Sequence, residues 1–184
     1  MVKGPGARPS RDVRVVCVAG SPGCGKTSLC EALKEKLDKT LYRFVNLGDL
    51  IREKQLYTHW DDEMDCSIFD EELVVKELRR IVKKCDSDGV VGLVIDFHSV
   101  GFIPKKIVDT VLVLQVATDV LWVRLEARGY EAKKIQENVQ AEIFMESFSE
   151  AVDQFGAEVV VQRISNTPHD IHENIEFLIG QIVK

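Results

Sequence analysis

The apolar residues of this chain form short continuous runs that alternate with segments of helical periodicity. The continuous runs have the length and composition of strands buried on both faces, and they cover residues 13–18, 44–47, 90–97, 110–116 and 158–164. Apolar residues recur at intervals of three and four, as in amphipathic helices, over about 26–38, 49–56, 70–85, 119–128, 131–155 and 168–182. Strands that alternate with helices predict an α/β fold, a doubly wound parallel five-stranded sheet with helices on both sides.

A glycine-rich segment connects the first predicted strand to the first predicted helix. Residues 20–27 read Gly-Ser-Pro-Gly-Cys-Gly-Lys-Thr and satisfy the pattern Gly-x-x-x-x-Gly-Lys-[Ser/Thr]. Between a strand and a helix this pattern indicates a phosphate-binding P-loop, in which backbone N–H groups and the helix N-terminus face the phosphates. We expect Lys26 to reach the β- and γ-phosphates of ATP and the Thr27 hydroxyl to ligate Mg²⁺. The alternative is a turn with a solvated lysine, but the bare pattern occurs by chance in only about one chain in a hundred of this length.

A carboxylate and a histidine follow the most apolar predicted strand. Asp96 ends the run Val-Ile-Asp, and His98 lies two residues further on. P-loop proteins place here the acid that holds Mg²⁺ through water, so we assign that role to Asp96, with a helix-capping aspartate as the alternative. His98 could orient a water molecule or accept a proton, but the sequence is equally consistent with a buried histidine bonded to the backbone.

Two groups of cations are candidates for phosphate contacts. Arg52 lies on the predicted helix after the second strand, where a bidentate guanidinium would suit an acceptor phosphate. The alternative is a solvated arginine paired with Asp49 or Glu53. Residues 124–134 carry arginines and lysines on both sides of Gly129, which is the composition of a basic lid over a transferred phosphoryl group. A helix face of solvated charges is the alternative for this second group.

Two further features have open interpretations. Cys24 lies inside the phosphate loop beside Lys26 and a helix N-terminus, both of which stabilise thiolate. We hypothesise a reactive thiol that bound nucleotide covers, and the alternative is an inert thiol packed against the first helix. An acidic segment at 60–66 continues at 70–72 and predicts a solvated loop, with contact to a basic protein partner as the alternative.

Composition restricts the class of protein. The 184 residues are 45% apolar and 29% charged, which suits one domain over 13–184 with a full core. No apolar run approaches the ~20 residues of a membrane helix, and the Gly/Pro/Arg-rich start at 1–12 predicts a disordered tail, not a secretory signal. The five scattered cysteines favour reduced thiols in the cytosol or nucleus over disulfides or zinc. A net charge of −6 argues against a strong sequence-independent grip on nucleic acid.

Nine short motifs, in order along nearly the whole domain, resemble the adenylate kinase isoenzyme 6 family. They are Gly-Ser-Pro-Gly-Cys-Gly-Lys-Thr at 20–27, Asn-Leu-Gly-Asp-Leu at 46–50, Gln-Leu-Tyr at 55–57, Asp-Glu-Met-Asp-Cys at 62–66, Asp-Phe-His at 96–98, Arg-Leu-Glu-Ala-Arg-Gly-Tyr at 124–130, Lys-Lys-Ile-Gln-Glu-Asn at 133–138, Glu-Ile-Phe at 142–144 and Ser-Asn-Thr-Pro at 165–168. The P-loop alone would not choose among P-loop kinases, whereas the Asp-x-His and Arg-Gly-Tyr…Gln-Glu-Asn blocks together are specific.

The resemblance implies a P-loop fold of the adenylate-kinase type, with a monophosphate-binding segment at about 46–70 and a short lid at about 128–138. It implies transfer of the γ-phosphoryl group of ATP to AMP with Mg²⁺, broad nucleotide tolerance and ATPase activity. It also implies a nuclear and cytoplasmic role in maturation of the small ribosomal subunit, with binding of a small-subunit ribosomal protein and association with the pre-ribosome. We expect a monomer that does not associate with membranes.

The matching positions carry the family's functional residues onto this chain. The resemblance assigns ATP binding to the loop and lid residues Gly23, Cys24, Gly25, Lys26, Thr27, Ser28 and Arg128. It assigns the acceptor nucleotide to Asn46, Gly48, Asp49 and Arg52. Catalysis falls to Lys26, Asp96, His98 and Arg128, and Mg²⁺ to Thr27 and, through water, Asp96.

One departure leaves part of the acceptor side open. The family continues its Asp-x-His with Gly-Cys-Asp-Phe-Phe-Pro, whereas residues 99–104 here read Ser-Val-Gly-Phe-Ile-Pro, so Gly101 replaces an acid. Two functions therefore compete: a nucleoside monophosphate kinase, and an ATP-hydrolysing ribosome assembly factor that binds a small-subunit ribosomal protein. A kinase of small metabolites on the same fold is a third, but the sequence contains no recognisable sugar site.

Overall fold

Seven strands and seven helices lie in residues 11–61 and 66–183, the residues that the computed structural model describes. The strands are β1 Arg14–Ala19, β2 Tyr42–Asn46, β3 Tyr57–Asp61, β4 Cys66–Phe69, β5 Gly92–Asp96, β6 Thr110–Gln115 and β7 Val160–Ile164. The helices are α1 Lys26–Lys36, α2 Leu47–Glu53, α3 Glu71–Ser87, α4 Thr118–Ala127, α5 Ala132–Ile143, α6 Glu146–Phe155 and α7 Pro168–Ile182.

Five strands pair in parallel, in the order β2, β5, β1, β6, β7, and confirm the predicted doubly wound sheet. Successive side chains of a strand point to opposite faces, so each apolar strand contributes to two cores. Val15 and Cys17 pack with α2, α3 and α6, whereas Val16 and Val18 pack with α1, α4, α5 and α7. Burial on both faces explains why these strands read as continuous apolar runs.

The sheet register brings three chain segments together at the carboxyl ends of the strands. Asp96, the last residue of β5, pairs with Val18 of β1 on one side and with Asn46 of β2 on the other. The loop after β1 therefore begins beside the ends of β5 and β2. In parallel sheets, ligands bind at the carboxyl ends of the strands, where the strand order reverses. Here that reversal lies at β1, which has β5 and β6 as neighbours.

Two parts of the secondary structure differ from the sequence prediction. The helix predicted over 131–155 is broken into α5 and α6, because Met145 adopts a left-handed conformation with φ of 52°. Neither Gly nor Pro marks that break. The segment after α2 also contains the antiparallel ribbon of β3 and β4, which was not predicted. Its short strands border the acidic segment at 60–66 and overlap it at both ends, where charge obscures the alternation of apolar and polar positions.

The expectations for the chain start and for the acidic segment fall largely outside the described residues. Of the predicted tail at 1–12, only Arg11 and Asp12 are described. The Arg11 guanidinium lies 3.0 Å from Asp109 and donates to Ile107 O, and the Asp12 N–H donates to Asp86. These two residues are thus held against the domain. In the acidic segment, residues 62–65 lie outside the described part.

Gly92 and Gly180 provide a matched test of the packing between β5 and α7. A Cβ on Gly92 would lie 2.1 Å from Ile182 Cγ2 and 2.8 Å from Tyr42 Cδ1, whereas a Cβ on Gly180 would meet nothing within 4 Å. We predict that Gly92→Ala lowers the free energy of unfolding by about 1–3 kcal/mol through overpacking. Gly180→Ala should raise it by about 0.5–1 kcal/mol, because alanine favours the helix. Urea unfolding of both variants measures the two changes. An unchanged Gly92→Ala variant would contradict the close packing of α7 on β5.

Candidate active site

The loop between β1 and α1 has the backbone of a phosphate-binding loop. Gly20, Gly23 and Gly25 have φ values of 135°, 91° and 98°, a region that favours glycine. Space adds a second requirement, because a Cβ on Gly20 would lie 2.6 Å from Leu114 O and one on Gly23 would lie 2.8 Å from Leu121 Cδ1. Gly25 is the N-cap of α1, so the first N–H groups of the helix lack intrahelical partners and can bind an anion. Ser28 lies exposed on that first turn.

Lys26 closes this loop from inside. Its ammonium donates to Gly20 O at 2.7 Å and to Ser21 O at 3.0 Å. These carbonyl partners hold the cation beside the loop. A lysine at this position can exchange the carbonyls for phosphate oxygens, which are stronger acceptors because they are charged.

Asp96 joins the loop to the sheet edge. Its Oδ2 accepts from the Thr27 hydroxyl at 2.9 Å and from the Asn46 side-chain amide at 3.0 Å. The carboxyl is only 5% exposed, and burial raises its pKa, against the opposing effects of the Thr27 hydrogen bond, the Lys26 charge and the Asn46 hydrogen bond. A hydroxyl and a carboxylate are hard oxygen ligands of the kind that Mg²⁺ takes, and Thr27 and Asp96 lie together as that role requires.

A main cavity of about 560 Å³ opens onto these residues. Lys26, Thr27 and Asp96 form its floor, α2 contributes one wall through Gly48 and Ile51, and α5 contributes the opposite wall. The wall from α5 consists of Lys134, Glu137, Asn138 and Ala141, with Tyr130 before the helix. The Lys134 ammonium lies 4.8 Å from the centre of the Tyr130 ring. The volume lies within the range of small-molecule sites.

His98 lines the main cavity with an exposed side chain, so the buried structural histidine that the sequence allowed is not what the structure shows. Its ring stacks near Phe97, with ring centres 4.2 Å apart. Crowding by protein atoms and then the charge of Lys26 lower the pKa of His98, while Glu150 opposes them. The imidazole is therefore neutral at pH 7 and can accept a proton.

A smaller side cavity of about 350 Å³ lies between α1 and α2. It shares Thr27, Asn46 and Asp96 with the main cavity, and Lys34 and Glu53 lie on its outer wall. The Asp96 cluster thus separates two spaces. Asn46 also caps α2, since its Oδ1 accepts from Asp49 N at 3.0 Å. One side chain therefore orients both the helix after β2 and the carboxylate at the end of β5.

The structure does not bring every predicted cation to the site. Arg52 is 72% exposed, pairs with Asp49 and lines neither cavity, which is the solvated arrangement that the sequence left as the alternative. Arg128 caps the C-terminus of α4 and is exposed outside both cavities. Arg124 was expected to clamp phosphates but instead braces the loop, donating to Ser165 O at 2.9 Å, Asn166 O at 2.8 Å and Gly23 O at 3.4 Å. The three carbonyl partners thus commit this half-buried side chain to the loop and its neighbours.

The reactive-thiol hypothesis for Cys24 is wrong. The side chain is fully buried, and burial raises the pKa of the thiol more strongly than Lys26 lowers it. The thiol belongs to the apolar cluster that also contains Leu29 and Leu121, and the Lys26 ammonium donates to its sulfur at 3.8 Å. Its neighbour Lys26 suggested thiolate, but the sequence does not show which way a loop side chain points.

Two polar residues behind the loop were missed. The carboxylate of Glu142 in α5 accepts from the Ser21 hydroxyl at 2.6 Å. Ser165 is 1% exposed, and its hydroxyl has no hydrogen-bond partner in the described part of the chain; it faces Gly25, where a Cβ would lie 3.1 Å away. Both residues belong to motifs of the resemblance, Glu-Ile-Phe and Ser-Asn-Thr-Pro. That signal marked the positions but not their contacts.

Residues 11–61 and 66–183 hold no group of three His, Cys, Asp or Glu side chains that could bind a metal ion. Within the same ranges, none of the helices has the length and hydropathy needed to cross a membrane.

Comparisons with known proteins show the family to which the chain belongs. A family model described as an AAA domain matches residues 16–145, which include the loop, Asp96 and all of α5. A Plasmodium falciparum protein named adenylate kinase isoenzyme 6 homolog is 34% identical over 175 residues, covering 89% of this chain and 92% of the relative. A Caenorhabditis elegans protein of the same name is 35% identical, covering 88% of this chain and 85% of the relative. The chain belongs to the adenylate kinase isoenzyme 6 family.

Membership of the adenylate kinase isoenzyme 6 family and the P-loop fold make this protein a nucleotide kinase-like protein that binds ATP. A crystal structure of shikimate kinase from Bacteroides thetaiotaomicron aligns with a TM-score of 0.59 over 93% of this chain and 99% of that chain. At 16% identity this likeness concerns the fold alone.

At Gly101, where the adenylate kinase isoenzyme 6 family has an acid, this chain supplies a carboxylate from another part of the fold. Glu150 of α6 accepts from the Ser99 hydroxyl at 2.6 Å and from the Val100 N–H at 3.0 Å. A Cβ on Gly101 would lie 2.8 Å from Glu150 Oε1. The carboxylate that holds this loop therefore comes from α6, and it occupies the space that a side chain at 101 would need.

We predict that Asp96→Asn stabilises the ligand-free protein while it removes activity. Burial raises the folded-state pKa of Asp96, so its charge destabilises the fold at any pH above that pKa, and an amide removes the charge. At pH 7 the midpoint of thermal unfolding should rise, by about 2–4 °C for each kcal/mol gained. The gain should shrink as the pH falls through the folded pKa, because the wild-type carboxyl then becomes neutral.

Asp153→Asn, an exposed change of the same kind, is the control and should show no shift. An Asp96→Asn variant less stable than wild type would contradict this electrostatic account.

We predict that Cys24 is alkylated slowly in the native protein. Its buried, protonated thiol should react with iodoacetamide about a hundredfold more slowly than in urea-unfolded protein, because reaction requires local opening. Peptide mapping after timed labelling measures both rates. Rapid native labelling that Mg·ATP suppresses would restore the reactive-thiol hypothesis.

Proposed function

We propose that this protein is a nucleoside monophosphate kinase that transfers the γ-phosphoryl group of ATP to AMP. The observation that carries the proposal is the main cavity, which opens directly onto Lys26, Thr27 and Asp96. A protein that only hydrolyses ATP needs room for a water molecule beside the γ-phosphate. A cavity of about 560 Å³ at that point offers room for a second nucleotide.

The chain's own groups would act by positioning and by neutralising charge. A phosphate oxygen of the acceptor attacks the γ-phosphorus in line, the bond to the β–γ bridging oxygen breaks, and two nucleoside diphosphates result. Lys26 would stabilise charge on the transferred group, and Lys134 on the facing wall offers a second cation. Mg²⁺, when bound at Thr27 and Asp96, supplies further neutralisation of the phosphate oxygens.

The position of His98 supports an accompanying ATPase activity. A neutral imidazole on the wall of the main cavity can accept a proton from a water molecule that attacks the γ-phosphorus in place of the acceptor. Release of inorganic phosphate in the absence of AMP would then be a slow side reaction. The small-subunit ribosomal partner, association with the pre-ribosome, and the nuclear and cytoplasmic location stay predictions from the family resemblance.

A panel of acceptors tests the proposed reaction. Purified protein is incubated with Mg·ATP and AMP, CMP, GMP or UMP, and ADP and free phosphate are followed separately. We expect AMP to stimulate ADP formation without stoichiometric phosphate, because the phosphoryl group passes to the acceptor. Lys26→Ala should reduce both products at least a hundredfold, since stabilisation of developing charge is lost.

The matched control is Lys36→Ala, which removes an exposed lysine from the other end of α1. It should leave both activities within about twofold of wild type, because surface ion pairs contribute little. Phosphate release that no monophosphate diverts would contradict the kinase and favour the ATPase.

A further inference from the structure

Glu142 of α5 is a buried carboxylate that the proposed reaction does not use. It is 7% exposed, although an acid on an amphipathic helix ordinarily faces water. Its Oε2 accepts from the Ser21 hydroxyl at 2.6 Å, and its Oε1 accepts from the Val116 N–H at 2.8 Å. Both donors are neutral, and the ion pairs between described residues do not include Glu142. Burial of a charge without a cationic partner costs free energy, so packing alone does not account for this residue.

Ser21 connects Glu142 to the phosphate-binding lysine. The Ser21 hydroxyl donates to Glu142, and the Ser21 carbonyl accepts from the Lys26 ammonium at 3.0 Å. A displacement of the carboxylate therefore moves a residue that holds Lys26. The electrostatic effect of Glu142 also reaches the loop, where it contributes to the raised pKa of Cys24.

The same helix forms a wall of the main cavity. Lys134, Asn138 and Ala141 follow one another at helical spacing on the cavity side, and Glu142 is the next residue. Directly after it the chain leaves the helix, since the Met145 N–H bonds to Glu142 O and Met145 is left-handed. The inward carboxylate and the end of α5 thus coincide. A ligand that shifts α5 from the cavity side would act on Glu142 without intervening flexible chain.

We propose that Glu142 is a positioning residue that couples α5 to the P-loop through Ser21, so that an acceptor in the main cavity and ATP in the loop affect each other's binding. The inference rests on the proposed function, because it requires an acceptor in the main cavity. Coupling of this kind is a free energy shared by the two sites and acts equally in both directions. A purely structural role would instead lower both affinities and leave their mutual effect unchanged.

Hydrogen exchange and binding with unreactive ligands test the coupling without turnover. The wild type, Glu142→Gln and Ser21→Ala are each given a non-hydrolysable ATP analogue, AMP, or both, with Mg²⁺. In the wild type we expect the analogue to protect amides of the loop at 20–27 and also of α5. AMP should raise the affinity of the protein for the ATP analogue by roughly fivefold or more, a usual size for coupled sites. In both variants, protection of the loop should persist, whereas protection of α5 should fall at least fivefold. The factor by which AMP changes the affinity for the ATP analogue should approach one.

The controls separate this inference from the proposed function. Glu146→Gln makes the same chemical change four residues later, at an exposed site, and should keep the wild-type coupling. The double variant Glu142→Gln/Ser21→Ala should match either single variant within about twofold, because both remove one contact.

Three outcomes would overturn the inference. They are absence of coupling in the wild type, coupling preserved in both variants, and equal loss of both affinities with coupling intact. If the analogue failed to protect the wild-type loop, the proposed function would fail as well. If instead AMP were phosphorylated and the loop protected while coupling was unaffected by the variants, this inference alone would fail.

Discussion

The carboxylate of Asp96 is the point on which the geometry of the site depends. Three parallel strands end beside it, and its Oδ2 accepts hydrogen bonds from Thr27, after β1, and from Asn46, at the end of β2. Asn46 in turn caps α2, and Thr27 belongs to the first turn of α1. The directions of both helices, and with them one wall of each cavity, are therefore tied to one oxygen atom. A shift in strand register would separate these groups, so the continuous apolar burial that fixes the register also fixes the chemistry.

The buried polar groups that oppose folding lie at the candidate site and directly behind the phosphate loop. Asp96 and Glu142 are buried acids without ion pairs among the described residues, and Ser165 keeps a buried hydroxyl without a partner there. Burial of unpaired polar groups opposes folding. The two apolar layers, with side chains such as Leu78, Leu93 and Leu121 fully buried, supply the opposing hydrophobic free energy. The stabilising apolar packing thus lies away from the carboxyl ends of the strands, as is usual when an active site is preorganised.

The sequence predicted those features that depend on local pattern. The five buried strands, the P-loop and the helix at 168–182 follow from apolar runs, glycine spacing and helical periodicity. Features that depend on where long or polar side chains turn were not predictable. Arg124 reads as a lid cation, yet it bonds to Ser165 O across 41 residues, and Arg52 turns outward to Asp49. The break at Met145 lacks Gly and Pro and lies beside the buried Glu142, whose tertiary contacts the local sequence pattern does not show.

Contacts with the rest of the protein hold several groups of the phosphate loop. These contacts determine which groups of the loop are left to bind a ligand. Arg124 donates to Gly23 O, the Cys24 thiol lies in the core, and the Ser21 hydroxyl donates to Glu142. These three groups of the loop are thereby engaged by protein. What the loop presents outward is the donor character of the first turn of α1 together with the Lys26 ammonium. In a loop anchored in this way, the Lys26 ammonium can exchange its two carbonyl partners for phosphate oxygens while the rest of the loop stays in place. In the proposed kinase, specificity for the acceptor would come from the walls of α2 and α5, and α5 is bonded to the loop through Glu142 and Ser21.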